Sequence, residues 1–309
     1  MMIAVVFPGQ GSQFVGMGKD IYEFFPEAKS VFDKANNILN YDLKSICFEG
    51  PEEILKQTEN TQPALFVHSM AIFSVLKNIS IKAGAGHSLG EYTALTAAGV
   101  LSFEDGLNLV RVRGLLMQES GKRNPGTMAA IVGLSIDQIE EICRKASEEG
   151  IVQPANFNSP GQIVISGDVK AVRKSIELAK EMKAKLAKEL VVSGAFHSPL
   201  MNYAYENIVG ELNKVTFNQF NFDVYSNVTA NKFQDVSEVK KLLVDQIIRP
   251  VKWNQLIENM IKDGIKTFIE IGAGKVLTGL IKRINPDVKT INLGTVEEIN
   301  SFLENGKNS

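Results

Sequence analysis

The sequence is poor in several residues that would narrow its chemistry. Only two cysteines, Cys47 and Cys143, occur among 309 residues, far apart and in no metal or redox spacing. That argues against a disulfide framework and a thiolate metal site, and reads as a reduced, cytoplasmic protein. Neither sign of charge is in excess: 33 Lys and Arg stand against 35 Asp and Glu, for a net charge of −2. Such a balance gives no reason to expect nucleic acid or an anionic membrane as partner. Long apolar runs are missing too. The best candidate, Pro63 to Leu76, contains His68 and several small or polar residues and falls short of the ~20 needed to span a bilayer, so it reads as a core helix. The N-terminal MMIAVVFPGQ has no basic leader and its apolar run stops at Pro8, which reads as a first strand rather than a signal peptide. No internal repeat is visible, and only the tail, ENGKNS, reads as disordered.

What is present is enough chain for one large domain or two unequal ones. Strand-type and helical segments alternate. Ile3 to Phe7 is an apolar run ended by the turn-rich PGQGSQ, and helical patterns follow near 28–39, 63–77, 91–98 and 103–120. Late in the chain, Thr267 to Ile271 ends in GAG and leads into KVLTGLIKRI. Strand, glycine turn and helix in that order predict an α/β fold with a mostly parallel sheet and active loops at the strand ends. Between them, MAAIVG, a helix from Ile136 to Glu148, VQPANFN, QIVISG, a Lys-rich helix from Val169 to Ala184 and AKELVVSG give β-α-β-β-α-β, the order of a ferredoxin-like unit. The expected division is a large subdomain, 1–124 and 195–309, with a small one, 125–194, inserted in it. A cleft between two such lobes is a common place for a substrate.

The sharpest motif is GHSLG at 86–90, between a strand-like stretch and a helix. A serine on such a turn has its hydroxyl pushed into the open, Gly86 and Gly90 remove clashing side chains, and the helix start adds backbone N–H donors, with that of Leu89 placed for an oxyanion. Three histidines could serve Ser88. His87 adjoins it and should point away, in a supporting role. His68 lies on the core helix, where a hydrogen-bonded structural histidine is the usual outcome. His197, in GAFHSPLM, is the best candidate for a general base.

Arg113 falls in the apolar stripe formed by Leu109, Val110, Leu116 and Met117, whereas Arg111 falls on a more solvated face. A guanidinium on a buried face is costly without an anion. Either an internal salt bridge supplies that anion or a substrate brings it, as a carboxylate gripped by two prongs. GAGK at 272–275 is not a phosphate loop, because Ile269 stands where the upstream glycine is required; a turn into a packed helix explains it.

Taken together, FPGQGSQ (7–13), GHSLGEY (86–92), RGLLMQ (113–118), NFNSPGQIVISG (156–167), GAFHSP (194–199), QIIRPVKW (246–253) and EIGAGKVLTGL (270–280) resemble the malonyl-coenzyme A:acyl carrier protein transacylases, in order and over nearly the whole chain. The resemblance implies a hydrolase-like large subdomain with a ferredoxin-like small one. It implies malonyl transfer from malonyl-coenzyme A to the pantetheine thiol of acyl carrier protein, through a malonyl-serine, with no metal or redox cofactor. Ser88 would be the nucleophile, His197 the base and Arg113 the carboxylate clamp. The N–H groups of Gln10 and Leu89 would form the oxyanion hole. Gln246 would orient the histidine through its main-chain carbonyl, so no acidic third member is expected. Met117 and Asn158 would line the site, and Phe196 and Leu89 are of the types that accompany malonyl choice. A stand-alone chain of this length favours fatty acid over polyketide synthesis, and monomer is the family-based expectation. Two rivals remain. An esterase or thioesterase shares the serine elbow but usually carries an acid between serine and histidine in chain order; Asp105, Asp137 and Asp168 lie there, each at a helix start or turn where capping explains it. A non-catalytic scaffold of the same fold is the other.

Overall fold

The structure is a computed structural model and describes residues 2–77 and 79–307. Among the described residues nine strands form two sheets. The first holds β1 (Ile3–Phe7), β2 (Ile81–Gly86), β7 (Asp223–Val224), β8 (Thr267–Ile271) and β9 (Lys289–Leu293) in the order β7-β2-β1-β8-β9, with every neighbouring pair parallel. β1 (IAVVF) and β8 (TFIEI) are almost wholly buried, as strands covered by helices on both faces must be, which is why they read as continuous apolar runs. The second sheet holds β3 (Gly126–Val132), β4 (Val152–Ser159), β5 (Gln162–Asp168) and β6 (Leu186–Glu189), antiparallel in the order β4-β5-β3-β6. Helices Ile136–Ala146 and Val169–Glu181 pack against it, completing the β-α-β-β-α-β order that the sequence predicts. Among the described residues no helix is long and apolar enough to cross a membrane.

Two segments depart from expectation. The helix expected to open at Pro63 begins at Thr58 and runs to Val75. Proline suits a first turn because it lacks an N–H, yet the five residues before Pro63 are already helical, with Thr58, Asn60, Thr61 and Gln62 buried. Thr61 donates its hydroxyl to the Leu55 carbonyl at 2.5 Å, and the Asn60 amide donates to that of Ile54 at 3.0 Å. The carbonyl of Glu59, left without its usual donor by Pro63, is taken by the Arg111 guanidinium at 2.6 Å. The tail is the second departure. Glu304 to Lys307 are not disordered but end the helix Val296–Lys307, which is held because Ile299 is buried and Phe302 and Leu303 pack on the main core. Asn308 and Ser309 lie outside the described residues.

The GAGK turn leads into helix Val276–Ile284, and the buried Glu270 of β8 accepts the N–H groups of Leu277 (3.0 Å) and Thr278 (2.7 Å), a helix start satisfied from within. Cys47 and Cys143 are both free and buried, and burial pushes their thiols up, that of Cys143 to about 12. The carboxyl ends of β1 and β2 lie side by side, Phe7 beside Gly86, so the loops leaving them share one rim of the parallel sheet.

Candidate active site

Ser88 sits between β2 and the helix Leu89–Ala97 with φ 51° and ψ −104°, a left-handed backbone that a side chain adopts only under constraint. The constraint is crowding. A Cβ on Gly86 would lie 1.8 Å from the Gly90 carbonyl carbon, and one on Gly90 would lie 2.1 Å from the Phe7 carbonyl oxygen. Gly86→Ala is therefore expected to destabilise the fold by at least about 3 kcal/mol, read as a fall in Tm of roughly 6 °C or more; an unchanged melting curve would contradict the packing described. The elbow is also pinned from outside. Asn227 accepts the Ser88 N–H at 2.7 Å through Oδ1 and donates to the Gly86 carbonyl at 2.7 Å through Nδ2.

His197 reaches the serine from the segment that follows β6, also with a left-handed φ of 57°. Its Nε2 lies 2.8 Å from Ser88 Oγ, and its Nδ1 lies 2.8 Å from the Gln246 main-chain carbonyl. A carbonyl can only accept, so Nδ1 carries the proton and Nε2 is free to take one. The second sheet braces this arrangement: Gln153 of β4 donates to the His197 carbonyl at 2.8 Å, and β4 bridges in parallel to Val251. Burial first, and then the neighbouring Arg113 cation, depress the imidazole to about 3.

Arg113, on helix Phe103–Arg123, is 1 % exposed. Its guanidinium donates to Gln62 Oε1 (2.8 Å), Gln246 Oε1 (2.9 Å) and Ser88 Oγ (3.0 Å), and lies over the Tyr92 ring. Its Nε, also buried, has no hydrogen-bond partner among the described residues. Among the described residues every hydrogen-bond acceptor it has is neutral, so the internal salt bridge weighed above is not what holds it. Met117, one turn on, is buried with its sulfur 3.6 Å from Gln62 Nε2, on the residue that accepts from Arg113.

The remaining expected residues gather nearby. Leu89 opens its helix, so its N–H is one of the first-turn donors without an intrahelical acceptor. Gln10 follows the end of β1, where its side chain donates to Thr58 Oγ1 at 3.2 Å. Asn158 accepts from His87 Nε2 through Oδ1 at 2.9 Å, and the His87 ring packs beside Trp253, so the His87 side chain points away from the hydroxyl. Phe196 is buried beside His197 in sequence. His68 is a correction. It is fully buried, but neither ring nitrogen has a hydrogen-bond partner among the described residues, and burial depresses it to about 4. It packs as a neutral aromatic ring rather than as a hydrogen-bonded strut. Of the three acids between serine and histidine, Asp105 bonds Ser102 at its helix start and Asp137 lies in the first turn of its own helix. Asp168 occupies a cap position without capping; its carboxylate accepts the Ile151 N–H at 2.7 Å instead.

Sequence reasoning missed Gln62, Asn227 and Glu91. Gln62 precedes the proline taken as the helix start. Asn227 lies in a loop with no periodicity to read. Glu91 alone gave a signal, as a charge at the head of an otherwise uncharged helix.

An elbow serine, a histidine and a buried cation at the rim of a parallel sheet define the class, an acyl transferase domain; the family model so described matches residues 4–295. The chain belongs to this family and, within it, to the malonyl CoA-acyl carrier protein transacylases. It is 46 % identical over 305 residues to the transacylase of that description from Bacillus subtilis (strain 168), covering 98 % of this chain and 96 % of the relative. The crystal structure of acyl-carrier-protein-S-malonyltransferase from Bartonella henselae superposes with a TM-score of 0.95 at 43 % identity, over 98 % of this chain and 99 % of that one. A malonyl-transacylase in complex with a type II polyketide synthase acyl-carrier protein superposes with a TM-score of 0.96 at 39 % identity, over 99 % of this chain and 100 % of that one.

Proposed function

We propose that the protein transfers a malonyl group from malonyl-coenzyme A to the pantetheine thiol of an acyl carrier protein, by way of an ester on Ser88. The observation that carries this reading is the convergence of Ser88 Oγ on both His197 Nε2 and Arg113, at 2.8 and 3.0 Å. The malonyl carboxylate takes the guanidinium as its anion. His197 removes the Ser88 proton as the oxygen attacks the thioester carbonyl. The oxyanion rests on the Leu89 and Gln10 N–H groups, each such donor contributing roughly 2.7–4 kcal/mol. Coenzyme A leaves with the proton from His197, and the carrier thiol then attacks the ester in the reverse sequence.

Only protein groups and the two thiols enter these steps, with no metal or redox cofactor. The complex of a related transacylase with its carrier protein supports the choice of acceptor. In the same reading residues 1–124 and 195–309 form the large subdomain and 125–194 the small one, and the protein acts as a cytoplasmic monomer in fatty acid synthesis.

Mass spectrometry of the intact protein after mixing with malonyl-coenzyme A tests the central step. The parent is expected to gain one malonyl group and Ser88→Ala none. Equal labelling of both would move the nucleophile elsewhere. Rapid release of free malonate with no thiol acceptor present would favour a thioesterase.

A further inference from the structure

Behind the serine, histidine and arginine lies a carboxylate that the proposed steps do not use. Glu91 is one turn past Ser88 and 0 % exposed. It accepts the Gln246 side-chain amide at 2.5 Å and the Asn227 N–H at 3.3 Å on each oxygen, and the Ser226 hydroxyl also donates to it. These partners are donors to it. The two larger ones are the residues that hold the site. Gln246 presents Nε2 to the Ser88 carbonyl (2.9 Å), Oε1 to Arg113 (2.9 Å) and its main-chain carbonyl to His197. Asn227 clamps the elbow on both sides of Ser88.

A side-chain amide has two ends that differ only in what they bond. At Gln246 the choice is set by the Glu91 carboxylate together with the Ser88 carbonyl: two acceptors beside Nε2 leave Oε1 for the guanidinium. Reversing the amide would aim an N–H at Arg113 and a carbonyl at the carboxylate. The same carboxylate acts on the Arg113 cation across the intervening Gln246 side chain, so the buried cation has a counter-charge that takes none of its donors.

We propose that Glu91, as its carboxylate, is a positioning residue that fixes the Gln246 amide and the Asn227 clamp, and thereby sets Ser88, His197 and Arg113 in register. The inference rests on the malonyl-transfer reading above.

Burial pushes the Glu91 carboxyl up to about 7, against the pull of Gln246, Asn227, Ser226 and the Arg113 cation. The groups facing it are Arg113 from helix Phe103–Arg123, the neutral Gln246, Asn227 and Ser226, and Tyr92 of its own helix. Protonation turns one oxygen from acceptor to donor, so register is lost as pH falls through that value. His197, held near 3, does not titrate there.

The test is the pH profile of kcat/KM for malonyl transfer between pH 5.5 and 8.5, in the parent, Glu91→Gln and Glu91→Asp. The parent is expected to show an acid limb near pH 7. Glu91→Gln, which cannot accept from both partners, is expected to lose roughly 10- to 100-fold at pH 8 and to lose the limb as well. Glu91→Asp keeps the charge and is expected to keep a limb on a lowered plateau. A limb that persists in Glu91→Gln belongs to substrate or to another group, and overturns the proposal, as does activity of that variant within twofold of the parent. If neither variant folds, a parent profile flat across this range overturns it alone. A parent with no malonyl transfer at any pH would instead fail the underlying reading.

Discussion

His197→Ala is expected to lower kcat for malonyl transfer by about 10⁴- to 10⁶-fold, the range seen when a serine loses its base. The size follows from the isolation of the pair. Among the described residues Ser88 Oγ has two hydrogen-bond partners, His197 Nε2 and Arg113, and a cation cannot accept a proton. Neither of the other two histidines bonds Ser88: His87 is held on Asn158, and His68 is buried with no hydrogen-bond partner among the described residues. Quenched-flow measurement of malonyl-enzyme formation isolates the acylation step. A loss below about 100-fold would be too small for an essential base and would require another proton acceptor. The fold should survive, because what is left unpaired is one carbonyl of Gln246.

Arg113→Ala is expected to reduce kcat/KM for malonyl-coenzyme A by roughly 10²- to 10⁴-fold, the worth of a buried, hydrogen-bonded charge pair. Transfer from acetyl-coenzyme A should persist or rise. An acetyl group offers the guanidinium no carboxylate, so in the parent the cation keeps only its neutral hydrogen-bond partners and the Glu91 charge it does not touch. The Arg113 cation also helps to hold His197 far below its ordinary range. In the proposed mechanism the malonyl carboxylate cancels that field when it binds; alanine removes it permanently, so the base is expected to strengthen for a neutral substrate. Parallel rates with the two thioesters give the selectivity ratio directly. A variant as selective for malonyl as the parent would remove Arg113 from its assigned role. Arg113→Lys should recover little, since an ammonium cannot reproduce the forked contact.

Much of this site was legible because its chemistry is bound to local pattern. GHSLG predicts an elbow, and the elbow is there with its strained serine. Arg113 is visible because four apolar neighbours at helical spacing make a charge conspicuous. The β-α-β-β-α-β order was readable because both helices and the first three strands are marked by their apolar pattern, whereas β6 is four residues long and stops at Glu189, leaving out the apolar VVSG that suggested more. What pattern cannot give is long-range pairing. Gln62, Asn227 and Gln246 meet Ser88 and Arg113 across 51 to 158 residues of chain. Only the family resemblance pointed to Gln246. Pro63 misled because its missing N–H is repaired by a guanidinium from another helix.

The imidazole of His197 is backed by a peptide carbonyl and not by a carboxylate. A dipole steadies the positive charge of a protonated ring less than a full negative charge does. A thiol, with a pKa near 8.5, gives up its proton with modest encouragement, while water demands much more. The acyl-enzyme should therefore be long-lived in bulk solvent and short-lived in front of sulfur, so that the choice of acceptor is written into the strength of the base.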